Sequence, residues 1–161
     1  HFKRINDGSG HAVGDQVLRE VASRLAQHLR DTDRAARWGG EEFLAVARGA
    51  ARAKAAELAE RMRIAVNGSE SYGDKTEPVS VTCSIGFAPY PFLCGHPQAV
   101  GWKEVLALAD AALYAAKNSG RNSWVGFTGN DQAELGSMLA VLRAAPETAL
   151  HSGVVGVSRS S

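Results

Sequence analysis

The sequence predicts an α+β fold in which helices pack on a mixed sheet. Apolar residues recur at helical spacing in three separate stretches. A Gly-Gly pair divides two strand-like runs into what must be an antiparallel hairpin, and residues 79–87 alternate apolar with small or polar side chains. No glycine-rich dinucleotide fingerprint accompanies this mixture of helices and strands, which sets it apart from a doubly wound parallel sheet.

Val17, Leu18, Val21, Ala22, Leu25 and Leu29 fall three or four apart, so a first helix is expected over 14–30. Asp15, near its start, suits the positive end of the helix dipole. Hairpin strands follow at 34–38 and 43–47, with Phe43 and Ala45 on one face and Leu44 and Val46 on the other. Residues 50–66 are rich in alanine and space Leu58, Met62 and Ala65 or Val66 as a second helical stripe. The face exposed by that helix is basic, with Arg52, Lys54, Arg61 and Arg63.

A loop is expected around 67–78, and then Val79, Val81, Cys83, Ile85 and Phe87 make the clearest strand of the chain. Pro89, Pro91, Pro97, Gly95 and Gly101 mark 89–101 as a loop. A third helix is expected over 102–118, burying Val105, Leu106, Ala109, Ala112, Leu113 and Ala116. Gly120 fits its C-terminal cap, and 124–127 reads as a last short strand. In the tail, 128–161, Leu135, Met138, Leu139 and Leu142 suggest one more helix within 131–144. The Gly- and Ser-rich end after Pro146 reads as disordered.

Composition excludes several classes of protein. A chain of 161 residues with 45% apolar content has enough material for one domain with a real core. A net charge of +1 supplies no global field for DNA or RNA, so an anionic ligand must be met by local clusters. Cys83 and Cys94 form neither a disulfide framework nor a zinc pattern, which fits a reducing cytoplasm. No apolar run reaches the roughly 18 to 20 residues of a membrane span, so no membrane contact is expected of this domain. His1 stands inside a motif where an initiator Met would be expected, so the sequence reads as part of a longer protein, one that an upstream membrane segment could tether.

Chemistry concentrates at Arg37-Trp38-Gly39-Gly40-Glu41-Glu42-Phe43. Gly39 and Gly40 offer the positive φ angles of a two-residue hairpin and leave no side chains, so phosphates and sugar could approach the backbone. Glu41 and Glu42 offer hard oxygen donors for a divalent cation. Alone, such a tip is more often only a turn with solvated acids.

Its company decides otherwise. His1-Phe2-Lys3-Arg4-Ile5-Asn6-Asp7, Gly10-His11, Gly14-Asp15, the Gly-Gly-Glu-Glu-Phe tip and Ser84-Ile85-Gly86 occur in this order. Ala109-Asp110-Ala111-Ala112-Leu113-Tyr114-Ala115-Ala116-Lys117 and Gly120-Arg121-Asn122 then follow. Over residues 1–127 the chain resembles the GGDEF family of diguanylate cyclases. The resemblance implies a ferredoxin-like core of the nucleotidyl-cyclase, palm type, with its first strand truncated here. It also implies condensation of two GTP into cyclic di-GMP with loss of two pyrophosphates.

By match to the family, Glu41 binds the metal, Mg2+ or Mn2+, together with a first-strand Asp that this sequence lacks. Glu42 faces the ribose and the attacking hydroxyl. Asn6 and Asp15 match the guanine-reading positions, which favours GTP over ATP. Lys3, Lys117 and Arg121 match the triphosphate contacts, beside the bare backbone of Gly39 and Gly40. Arg30 and Asp33 match an Arg-x-x-Asp inhibitory site for cyclic di-GMP, closed by Arg61 of a neighbouring domain. His11 reads as a structural histidine. The stoichiometry asks for a homodimer, and an N-terminal sensor or receiver domain would drive it. The alternative is a catalytically impaired domain that serves as a cyclic di-GMP receptor, and the bland reading is a dimerisation module that binds no nucleotide.

Overall fold

The computed structural model describes residues 1–70, 78–130, 133–153 and 155–160. The chain divides into two compact units, His1–Ala51 with Ile64–Thr82 and Arg52–Arg63 with Cys83–Ser161. The expected loop at 67–78 lies largely outside the described residues.

The first unit opens with α1 (Phe2–Ser9), whose half-buried Phe2, Ile5, Asn6 and Ser9 fall on one helical face. Asn6 is therefore helical, although Asn-Asp-Gly is ordinarily a turn sequence. Gly10, at φ +87, separates α1 from α2 (His11–Gln27), a bend that costs a glycine little. Gly14 lets the two helices meet, since a β-carbon there would collide with Asn6 Oδ1. The helix expected over 14–30 thus starts and ends earlier. Asp15 is not at its N-terminal end but beyond the first turn, while Val13, Val17 and Leu18 are buried.

Strands β1 (Arg34–Gly39) and β2 (Glu42–Val46) form the expected antiparallel hairpin. Its two faces do not alternate in burial: Glu42, Phe43 and Leu44 are half-buried, whereas Ala45, Val46 and all of β1 are exposed. Burial here is confined to the tip-proximal residues of β2 and does not alternate between the sides of the ribbon. In the same unit β3 (Gly68–Glu70) pairs antiparallel with β4 (Val79–Val81).

The strand expected over 79–87 is in fact two. β4 takes β3 as its partner, β5 (Ile85–Phe87) belongs to another sheet, and 82–84 are in neither. Alternating side chains report an extended backbone, and the hydrogen-bond partner is chosen by tertiary pairing.

In the second unit β5 pairs parallel with β6 (Trp124–Gly129), and β6 pairs antiparallel with β7 (Val155–Arg159), making a mixed sheet. α3 (Ala55–Val66) follows a short 3-10 turn at Arg52–Lys54. The expected basic face is only partly exposed, because Arg52 and Arg63 are half-buried. Arg52 donates to the carbonyls of Pro91 and Phe92, and Arg63 pairs with Glu60 at 2.7 Å.

α4 (Trp102–Asn118) has the expected bounds and packs on β5 and β6. Gly86 admits it, since a β-carbon there would strike the Leu113 N–H and Ala109 carbonyl. Its buried stripe is Val105, Leu108, Ala112 and Ala116. Leu106, Ala109 and Leu113, expected inside, are half-buried, and Leu108 takes the centre.

The tail is ordered beyond the expected helix, which runs as α5 (Leu135–Ala144), positions 131 and 132 lying outside the described residues. After Pro146 come a 3-10 turn, α6 (Ala149–Ser152) and β7, in place of the disorder that composition suggested. Met138, Leu142, Ala149 and Val155 share one apolar core with Phe92, Leu108 and Phe127. Burying such side chains outweighs the flexibility of their Gly and Ser neighbours. Trp124–Gly129 is accordingly an inner strand and not the last.

Candidate functional site

The hairpin tip is a two-residue connection of Gly40 and Glu41, because Gly39 already pairs with Glu42 and the register shifts between Arg37 and Gly39. Only Gly40 takes a positive φ, +52, so the expectation of two left-handed glycines is corrected to one. Open space surrounds the position a β-carbon would take at Gly39 and at Gly40. Arg37 Nε donates to the Gly40 carbonyl at 2.8 Å and ties the tip to its own strand.

A cleft of about 400 Å³ lies between this tip and α1, lined by Phe2, Lys3, Asn6, Asp7, His11, Arg37, Gly40 and Glu41. Three of the expected substrate residues, Lys3, Asn6 and Gly40, and the expected metal ligand Glu41 line this one cleft. Lys3 precedes Asn6 and Asp7 by three or four positions, which sets them on one side of α1. Two cations and two carboxylates face one volume, a set that can meet phosphate oxygens and a cation at once.

Asp15 does not line this cleft. It borders a neighbouring groove of about 490 Å³ with Leu18, Arg19, Leu25, Ala35, Arg37 and Phe43. Among the described residues Arg37 alone lines both, and sequence reasoning gave it no role; its signal was its place two residues before Gly-Gly. Asp7 and His11 are further cleft residues without an expected contact. Glu42 stands half-buried beside Gly39 in the ladder.

The Arg30-to-Asp33 segment is a turn between α2 and β1 and not the end of the helix. Arg30 is exposed, whereas Asp33 is buried at 8% exposure. Its carboxylate accepts the backbone N–H groups of Arg30 and Arg48, both at 2.9 Å. Those bonds, the one from Arg30 foremost, hold the Asp33 carboxyl below the usual carboxylate range. Asp33 is thus first a staple of the turn, with lone pairs to spare for a ligand.

Lys117, Arg121 and Arg61 belong to the second unit, Lys117 in the last turn of α4, Arg121 just after it, and Arg61 exposed on α3. Among the described residues no three His, Cys, Asp or Glu side chains converge to hold a metal ion. Glu41 supplies one hard oxygen donor, and the described side chains do not complete a cation site around it. Among those residues, too, no helix is long and apolar enough to cross a membrane.

A family model described as "Diguanylate cyclase, GGDEF domain" matches residues 1–123. The chain is 44% identical over 126 residues to the response regulator PleD of Caulobacter vibrioides, covering 78% of this chain and 27% of PleD. It is 40% identical over 122 residues to the diguanylate cyclase DgcP of Pseudomonas aeruginosa, covering 76% of this chain and 17% of DgcP. The chain therefore spans less than a third of the length of either relative. Its structure is similar to the GGDEF domain of DgcB from Caulobacter crescentus in complex with c-di-GMP, with a TM-score of 0.65 and 39% identity over 76% of this chain and 67% of that one.

Proposed function

The chain belongs to the GGDEF family of diguanylate cyclases, and from that membership we propose that it condenses two GTP molecules into cyclic di-GMP. The observation that carries this reading is the cleft that joins Lys3, Asn6, Gly40 and Glu41. In each half-reaction a 3′-oxygen bonds to the α-phosphorus of the other nucleotide, the bridging α–β P–O bond breaks, and pyrophosphate leaves with its electron pair. The hydroxyl proton must go to a nearby base or water. Such transfer is chiefly positioning and charge neutralisation.

In this reading the backbone of Gly39 and Gly40 lets phosphate and sugar approach closely. Glu42 orients the ribose hydroxyl, Asn6 and Asp15 read the guanine edge, and Lys3, Lys117 and Arg121 meet the triphosphate. Glu41 contributes one carboxylate to a divalent ion, Mg2+ or Mn2+, that neutralises phosphate charge when bound. Two nucleotides must face each other, so the working form is a homodimer, brought together by a regulatory domain. Cyclic di-GMP restrains the enzyme by binding Arg30 and Asp33, with Arg61 from a neighbouring domain.

The second reading is a cyclic di-GMP receptor without turnover, with Arg30 and Asp33 as its functional centre. Chromatography of GTP incubated with Mg2+ separates the two. Cyclic di-GMP that forms with the native chain and vanishes with Glu41→Ala supports the cyclase. No product from a folded chain that binds cyclic di-GMP, and loses it on Arg30→Ala, selects the receptor.

A further inference from the structure

Three successive residues after α4 have left-handed backbone: Gly120 at φ +101, Arg121 at +64 and Asn122 at +43. Glycine takes such angles freely and Asn more readily than other residues, but Arg there is strained and persists only where its surroundings hold it. The Arg121 N–H and the Ser123 hydroxyl both donate to the Ala116 carbonyl at 3.2 Å. From α3, Arg63 Nη1 donates to Asn122 Oδ1 at 2.9 Å and to the Asn122 carbonyl at 3.4 Å. Arg63 is itself fixed, with Nε and Nη2 on the two Glu60 oxygens at 2.9 and 2.7 Å. Glu60 Oε2 also accepts Trp124 Nε1 at 3.0 Å.

We infer that Arg63 is a positioning residue for nucleotide phosphate: through Asn122 it locks the left-handed turn that presents Arg121. The inference rests on the reading of Arg121 as a triphosphate contact. A phosphate-binding guanidinium on a loose turn must be ordered when ligand arrives, and that ordering weakens binding; a turn clamped beforehand avoids the loss. Arginine suits the clamp because its planar fork divides its donors between Glu60 and Asn122, which a single ammonium cannot reproduce. The bond to Arg63 holds Glu60 below the ordinary carboxylate value, and the same bond raises Arg63, so the pair stays charged across neutral pH.

The test is calorimetric titration of the full chain with Mg2+ and the α,β-methylene analogue of GTP, beside thermal unfolding. Arg63→Lys and Asn122→Gly are each expected to weaken binding about 10-fold, the equivalent of one long side chain left to be ordered. Glycine accepts φ +43 without strain, so Asn122→Gly should unfold no earlier than the native chain, which a merely structural role cannot reconcile with weakened binding. Weakened binding by Arg121→Ala with native affinity in both clamp variants overturns this inference and leaves the reading of Arg121 intact. A native chain that does not bind the analogue, or an Arg121→Ala variant that binds it undiminished, overturns the reading of Arg121 and this inference with it.

Discussion

The Asp33 carboxylate accepts the backbone N–H of Arg48 at 2.9 Å and so ties the entry of the hairpin to its exit, just outside the Arg34–Val46 pair. The same carboxylate accepts the Arg30 N–H, and one side chain therefore shapes both the hairpin base and the turn before it. The consequence for stability is testable.

The Asp33 carboxyl is held below the usual carboxylate range, first by the Arg30 N–H and then by the Arg48 N–H. A carboxyl whose folded pKa is lowered contributes stability that is complete above its unfolded value, about 3.9, and is lost as pH falls through the folded value. Urea midpoints should hold from pH 7 to 5 and fall below pH 4. Glu60, Glu104 and Glu134 shift in the same direction, so the Asp33 share is read as the part of the fall that Asp33→Asn removes.

At the tip, Gly40→Ala meets open space but must hold φ +52. It is expected to cost about 1 kcal/mol of stability and, by displacing Glu41, to cut cyclic di-GMP formation more than unfolding accounts for. Full turnover in Gly40→Ala would separate the tip from catalysis.

Gly86→Ala drives a β-carbon into the α4 backbone, where no side chain can swing aside. A loss of about 3 kcal/mol in chemical denaturation is expected, the upper range for an overpacked core. Gly95→Ala, in open space, serves as the neutral control.

Met138 in the tail is 1% exposed within the core of the second unit. Met138→Ala should cost roughly 2–5 kcal/mol, the range for deleting a buried long side chain. An unchanged unfolding midpoint would mean that the tail contributes nothing to the fold.

Burial pushes the Cys83 thiol up to about 11, whereas Cys94 is exposed. Since the thiolate is the nucleophile, iodoacetamide at pH 8 should label Cys94 well before Cys83, as mass spectrometry would show. Equal rates would place Cys83 in solvent.

The sequence by itself determined the family, the α+β class, the bounds of α4 and the antiparallel hairpin. Each depends on local signals: helical spacing, a glycine break, and an ordered series of short motifs. Tertiary structure decided what depends on partners. Residues 79–87 alternate throughout, yet they split between two sheets because strands are completed by whichever neighbour supplies the ladder. Gly39 is left in the strand because the register shift after Arg37 moves the turn to Gly40 and Glu41.

At the site, motif order picked out Lys3, Asn6, Gly40 and Glu41, and folding placed them in one cleft with Arg37, whose signal was its place two residues before Gly-Gly. Asp33 was legible as a candidate ligand but not as the acceptor for two backbone N–H groups, one of them fifteen residues along the chain. The tail shows the limit most plainly. Its Gly and Ser content predicts disorder, but Met138, Leu142 and Val155 find a core to enter, and burial against distant residues is a free energy that no local pattern contains.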